Sequence, residues 1–294
     1  MRLLRALTCI ICFIPLLTWA EEPDLSEQEM AYLAQSIELW QSMDRQTGEI
    51  LLPGSMARLS VPENFYYLDP QDSEKVLVDI WGNPPGTGAL GMLFPAETTP
   101  FDTDSWGVVI SYAEDGYVSD EDAFNIDYDE LLEDMQSDTR EESKEREAAG
   151  YGSIDLIGWA ARPYYDQSRH QLYWAKELEF DHHPDHTLNY SIRSLGRKGV
   201  LEMNFVAGME QLDEINSNLE SVLTMVNFVE GHRYQDFDSS VDNVAAYGLG
   251  ALVAGKVASK TGLLAAGLLL LKKFWWLIIV AIGGLFRAIT GKKD

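Results

Sequence analysis

Apolar residues recur at Met30, Leu33, Ile37 and Trp40, the three- and four-residue spacing that lines one helix face, and predict a helix over 24–43. Ser26 with Glu29 forms a capping box, Leu25 with Met30 supplies a hydrophobic staple, and Gly48 closes the segment. Short strands are expected at 49–52 and 57–61. A second helix should run from Asp69, its cap, through Pro70 in the first turn to about Trp81. Strands follow at 90–94 and 106–112. Over 128–149 the pattern turns helical again, with Tyr128, Leu131, Leu132 and Met135 giving one apolar edge. Beyond Gln136 it is almost wholly polar. The last third reads as strands at 154–159, 172–180, 188–194 and 199–206, with a tight turn at 195–198. A helix over 210–227 then turns Leu212, Ile215, Leu219, Val222 and Val226 inward, and 228–234 is a candidate closing strand. Strands in runs, separated by helices, define an α+β class: a mostly antiparallel sheet packed with helices.

Both ends depart from this pattern. Residues 1–20 carry Arg2 and Arg5, an apolar middle and small Thr18 and Ala20, the layout of a secretory signal cleaved after Ala20. Residues 241–294 are rich in Gly, Ala and Leu, and 263–286 is long enough to span a bilayer. Lys272 and Lys273 fall in the middle of that span and cost roughly 2.5–3.5 kcal/mol each before snorkelling. An alternative span, 244–271, ends at those lysines but must carry Lys256 and Lys260. Arg287, Lys292 and Lys293 follow the last apolar run and should stay cytoplasmic, which places the preceding domain outside; a two-span hairpin is the runner-up. Ala246, Gly250, Ala254, Ala258, Gly262 and Ala266 recur every four residues, spacing that lets membrane helices approach closely and self-associate.

Charge sharpens the division. The chain carries a net −25, but residues 21–240 alone hold 45 acids against 13 bases. A domain this acidic is excluded as a nucleic-acid partner, because phosphates need Lys and Arg. Cys9 and Cys12, the only cysteines, lie in the leader. A disulfide scaffold, a cysteine zinc site and a cysteine nucleophile are thereby excluded from the mature chain.

The run WGNPPGTGALGMLFP (81–95), the hairpin LNYSIRSLGRKGVLEMNFVA (188–207) and VAAYGLGALVAGKVASKTGLL (244–264) resemble a bacterial family of uncharacterised membrane-anchored proteins, catalogued only as a domain of unknown function. The resemblance implies a bacterial exported protein with a C-terminal anchor. It carries over no catalytic residue and no cofactor. The hairpin–helix–strand ending is also loosely similar to PsbP-type domains, an analogy of fold alone.

Several motifs suggest chemistry. Gly86-Thr-Gly88-Ala-Leu-Gly91 has dinucleotide-loop spacing, but a helix precedes it and a strand follows, the reverse of what a pyrophosphate site needs. Gly250 to Lys256 has P-loop spacing, but Val257 stands where magnesium needs a hydroxyl. His182, His183 and His186, with Asp185 nearby, are candidate metal ligands; Pro184 prevents a helix from aligning them, so a polar loop is the plainer expectation. The acids at 102/104, 120–122 and 127–130 match no EF-hand loop, since Trp106 stands where an oxygen ligand belongs. Arg193, Arg197 and Lys198 form a basic edge that either keeps a hairpin soluble or docks an acidic partner, the 114–134 stretch included. Trp81, Trp106, Trp159 and Trp174 are expected in the core.

The expectation is therefore a binding or scaffold domain moored to the bacterial inner membrane and facing the periplasm. Its partners would be membrane lipid and an envelope protein or ligand. A periplasmic hydrolase using carboxylates or a divalent ion, and an ion or envelope-stress sensor, are the alternatives.

Overall fold

Leu188, Tyr190 and Ile192 alternate with Asn189, Ser191 and Arg193 along one strand, and that two-residue period decides how the sheet is packed on each side. A computed structural model describes residues 27–255, apart from 82, 84, 103, 104 and 149–151. The chain divides into two units, Met1–Ser42 and Met43–Asp294. The described part of the first is helix α1 (Glu27–Gln41), on which Ile37 is 48% exposed. Leu25 and Ser26 of the expected cap lie outside the described residues.

In the second unit, strands β1 (Gly48–Leu51) and β2 (Ala57–Val61) pair with a three-residue strand, β10 (Val226–Phe228), in a small antiparallel sheet ordered β1-β2-β10. The main sheet has seven strands. β3 (Phe65–Leu68), β4 (Gly91–Pro95) and β5 (Gly107–Ala113) come from the first half. β6 (Ile154–Asp166), β7 (Gln171–Phe180), β8 (Thr187–Leu195) and β9 (Val200–Gly208) come from the second. Their order is β3-β4-β5-β9-β8-β7-β6, antiparallel throughout. The two halves are joined by β5 and β9, in register from Gly107 opposite Val206 to Ala113 opposite Val200.

One face of the sheet packs on helix α4 (Leu212–Met225) and the small sheet, burying Leu188, Tyr190, Ile192, Met203 and Phe205 with Ile215, Val222, Leu59 and Val61. Trp106 sits in this layer against Phe205 and edge-on to Phe65, and its Nε1 donates to Glu214 Oε1 at 2.9 Å. The other face packs on α3 (Tyr128–Ala148) and α5 (Leu249–Ala254), burying Ile154, Leu156, Leu172, Trp174 and Phe180 with Met135, Leu249 and Val253. Each large side chain taken from water into these layers contributes about 1.5–3 kcal/mol. Trp81, Trp106 and Trp174 are buried, and Trp159 is partly so.

The chain from Asn243 to Ala254, which the sequence groups with the anchor, belongs to the folded unit. Tyr117 N–H donates to Asn243 O at 2.9 Å and Ala245 N–H to Tyr117 O at 2.8 Å, while Leu249, Leu252 and Val253 enter the second core. Helix α5 ends at Gly255 in the left-handed region (φ 72), so α5 does not run on through Gly255 as the alternative 244–271 span requires. No helix among the described residues is long and apolar enough to cross a membrane; the 263–286 span lies outside them. The candidate strand at 228–234 is turn and bridge beyond Phe228, with Gly231 at φ 86 and the Tyr234–Asp236 turn of 3-10 helix.

Helix α2 (Pro70–Glu74) starts as expected, with Asp72 N–H donating to Asp69 Oδ1 at 2.9 Å, and continues as a π-helical turn, Lys75–Ile80. Its Glu74 takes up the glycine loop: Gly86 N–H and Thr87 Oγ1 donate to that carboxylate at 2.6 and 3.0 Å. The groups a phosphate would need already hold a carboxylate. Gly91 opens β4 directly, and a Cβ there would run into the Tyr67 ring, whose hydroxyl donates to Leu90 O at 2.6 Å. Gly91 serves packing, whereas Gly86 and Gly88 have open space around them and supply the positive φ (83 and 68) of the loop.

Candidate binding cleft

The turn between β6 and β7 is built by Asp166, whose Oδ1 accepts from Ser168 N–H at 2.9 Å, Ser168 Oγ at 2.6 Å and Arg169 N–H at 3.3 Å. The Ser168 hydroxyl, above all, holds the Asp166 carboxyl below the usual range. This closed Asx turn drives His170 into the left-handed region (φ 51) and passes its carbonyl to Leu195 N–H at 2.9 Å. The β6–β7 turn is thus fastened beside the end of β8. The C-terminus of α4, β10 and the turn before Tyr234 complete the walls of a cleft of about 510 Å³.

Gln171 lines this cleft, 3% exposed, and its Nε2 donates to both Ser194 Oγ and Leu223 O at 3.0 Å. It satisfies one of the terminal carbonyls of α4. Its Oε1 has no partner among the described residues, and a buried acceptor without a donor is expensive. Beside it lies an aromatic ladder. The His170 ring stacks on Tyr234 at 4.1 Å, Tyr234 on Tyr117 at 4.5 Å, and Tyr117 on Phe237 at 3.9 Å. Asp120 ties the ladder down: its Oδ2 accepts from Tyr165 Oη at 2.6 Å and its N–H donates to Tyr234 Oη at 3.1 Å. Tyr165 Oη also lies 3.1 Å from His170 Nδ1. Since the phenol gives its only proton to Asp120, it accepts from Nδ1–H, which leaves Nε2 as the open position of the ring. Burial, then the bond to Asp120, pushes the Tyr165 phenol far up, and burial with Tyr117 does the same to Tyr234.

The electrostatics of the cleft run against the rest of the domain. Arg169, His170 and Arg233 line it, together with Ser168, Thr224 and Asn227, and no Asp or Glu does. Arg169 is held by a bidentate pair with Glu220 at 3.0 and 2.5 Å, whereas the exposed Arg233 side chain has no partner among the described residues. A second, shallower depression of about 320 Å³ lies over α2, lined by Glu74, Asp79 and Lys75.

The residues singled out in the sequence are dispersed. Arg193 does not join a basic edge: 12% exposed, it lies on the inner sheet face, 5.3 Å over the Trp174 ring, with Nη1 donating to Asn204 Oδ1 at 3.0 Å and Nε 3.5 Å from Glu202. Arg197 pairs with Asp242 at 2.7 Å and holds that carboxyl below its usual range. Lys198 is exposed, and its carbonyl accepts Gly116 N–H at 3.1 Å. The 114–134 acids act mostly as local fasteners: Asp122 accepts from Leu249 and Gly250 N–H at 3.3 and 3.4 Å, Asp127 from Asp129 and Glu130 N–H at 3.0 and 3.2 Å, and Asp115 from Tyr247 Oη at 2.9 Å. Ala246 precedes α5, which carries Gly250 and Ala254, so these three do not share one helix; Ala258, Gly262 and Ala266 lie outside the described residues. His182 and His186 both approach Glu179, while His183 Nδ1 accepts Asp185 N–H at 3.2 Å. Pattern reading missed Gln171, His170 and Tyr234, because their convergence depends on strand register across 60 residues. The Asx-turn sequence Asp166 to Arg169 was the available local signal.

Taken together, these features define an α+β domain on an antiparallel sheet with a cleft lined by Arg169 and Arg233 at one sheet end. The chain belongs to the family described as Protein of unknown function (DUF2167), which matches residues 44–283. No curated protein matches it. Among solved structures it is similar to the solution structure of cyanobacterial PsbP (CyanoP) from Synechocystis sp. PCC 6803, at 12% identity, covering 64% of this chain and 93% of that one, with a TM-score of 0.32.

Proposed function

We propose that this chain is an exported, membrane-anchored binding domain whose cleft takes the anionic end group of an envelope component. One observation carries the reading: in a chain of net charge −25, the cleft presents an exposed Arg233 side chain with no partner among the described residues, beside Arg169, whose charge Glu220 and Asp166 meet, and no acid stands among its lining residues. The Arg233 guanidinium, without a partner among the described residues, offers a forked donor to a carboxylate or phosphate. Such a cleft concentrates anions that the surrounding surface repels. The shifted carboxyls Asp129, Asp166, Glu220, Asp238 and Asp242 are all lowered by arginine or hydroxyl donors, the opposite of what a hydrolase's general acid requires.

The test is calorimetric titration of the full chain in detergent with an N-acetylated dipeptide bearing a free carboxylate, its amidated form as control. The reading expects saturable binding of the free acid that Arg233→Gln weakens at least tenfold. Equal binding of acid and amide, or indifference to Arg233→Gln, overturns it. The address rests on the two ends of the sequence. It predicts a mature chain beginning at Glu21 in the inner-membrane fraction, with its folded domain digested by protease in spheroplasts.

A further inference from the structure

At the far end of β7 from the cleft, roughly 30 Å away at the ordinary strand rise, two acids and two histidines converge. Asp155 on β6 and Glu179 on β7 are register partners and share a sheet face. After Phe180 the chain reverses at Asp181 and His182, both with positive φ (51 and 54), closed by His183 N–H to Phe180 O at 2.9 Å, a turn of the I′ sign pattern. The reversal lays His182 back over β7, with Nδ1 2.8 Å from Glu179 Oε1. One ligand atom from each of Asp155, Glu179 and His182 lies within 4.8 Å of the others.

An independent feature sits beside this trio. His186 Nδ1 is 2.5 Å from Glu177 Oε1, and its Nε2 is 3.5 Å from Glu179 Oε2. The bond to Glu177 places a proton on Nδ1. The His186 Nε2 thereby faces Glu179, the same carboxylate that His182 reaches from the turn. The structure assigns Asp155, Glu179 and His182 as a binding site for a divalent transition-metal ion, with His186, oriented by Glu177, beside its Glu179 ligand. An imidazole with two carboxylates suits zinc and its neighbours in the first row, while calcium and magnesium prefer all-oxygen shells. His183, engaged with its own loop at Asp185, stands outside the site.

Zinc is the probe. The full chain, purified in detergent without a polyhistidine tag and stripped with chelator, should bind one Zn²⁺ per chain in calorimetry. Imidazole resonances of His182 and His186 should shift, and that of His183 should not. Glu179→Gln and His182→Ala should each weaken binding at least tenfold while leaving the metal-free melting temperature in place; His183→Ala should bind as the parent does. Loss of binding in His183→Ala equal to that in His182→Ala would make the loop an adventitious chelator and overturn the assignment. So would Ca²⁺ binding as tightly as Zn²⁺ with no effect of His182→Ala, the behaviour of a plain acidic patch.

Discussion

Tyr165 and His170, facing each other across the β6–β7 turn, meet at 3.1 Å because Asp120 draws the phenol proton away at 2.6 Å. Asp120 arrives from a loop some fifty residues upstream, and the same loop residue holds Tyr234 through its backbone N–H. One residue therefore orients the histidine through its carboxylate and, through its backbone N–H, holds the ring against which that histidine stacks.

Tyr165→Phe removes the donor to Asp120 and the acceptor of His170 Nδ1–H while keeping the ring. The part-buried carboxylate is left short of a partner, so unfolding in urea should show a loss of about 1–3 kcal/mol. In the variant the His170 ring should exchange tautomers, visible as broadening of its imidazole nitrogens.

Lys176 lies on the inner sheet face in the same layer as Arg193, and loss of solvent, then the Arg193 charge, pushes it down to about 8; Glu142 opposes this. Below that value Lys176 is charged in both states and its penalty is fully present. Between about 8 and the ordinary 10.5 the unfolded chain holds the proton and the native chain does not, so this group adds stability as pH rises. Burial raises several tyrosines, Tyr67 and Tyr112 to about 12, and they act in the opposite direction at high pH. Comparison with Lys176→Met isolates the lysine. The variant should be more stable than the parent at pH 7, and the gap should close by pH 10.5, measured by denaturant midpoint.

Glu220 neutralises Arg169 at the rim of the cleft through two hydrogen bonds, with its own side chain 69% exposed. Glu220→Gln should leave the denaturant midpoint unchanged, as exposed pairs generally do. It leaves Arg169, among the described residues, with only the longer Asp166 contact at 3.8 Å and so turns more of its charge toward the cleft. Binding of the acidic dipeptide should tighten several-fold, and the gain should shrink in high salt.

Where a local rule applies, the sequence is readable here. The cap at Asp69, the inward row on α4 and the strands β7, β8 and β9 follow from spacing and capping, and each is found within a residue or two. β6 runs to Asp166, past the expected end at 159, because register shifts at Gly158 and Ala161 break the alternation that marks a strand. The β5–β9 pairing that unites the halves leaves no local signature. Arg193 reads as an edge charge, because parity along β8, which turns it inward onto Trp174, matters only once the face bearing α3 and α5 is known. The histidine run is visible in the sequence. Its acids are not, since Glu177, Glu179 and Asp155 reach it through strand register.

The central claim, an anion cleft at the β6–β7 end, is tested most directly by mapping backbone amide shifts of the isotope-labelled full chain during titration with inorganic phosphate. The account predicts saturable shifts centred on Ser168 to Gln171, Thr224 and Arg233, abolished by Arg233→Gln. Shifts scattered over the surface that grow linearly with phosphate, or a saturable set unaffected by that substitution, would contradict it.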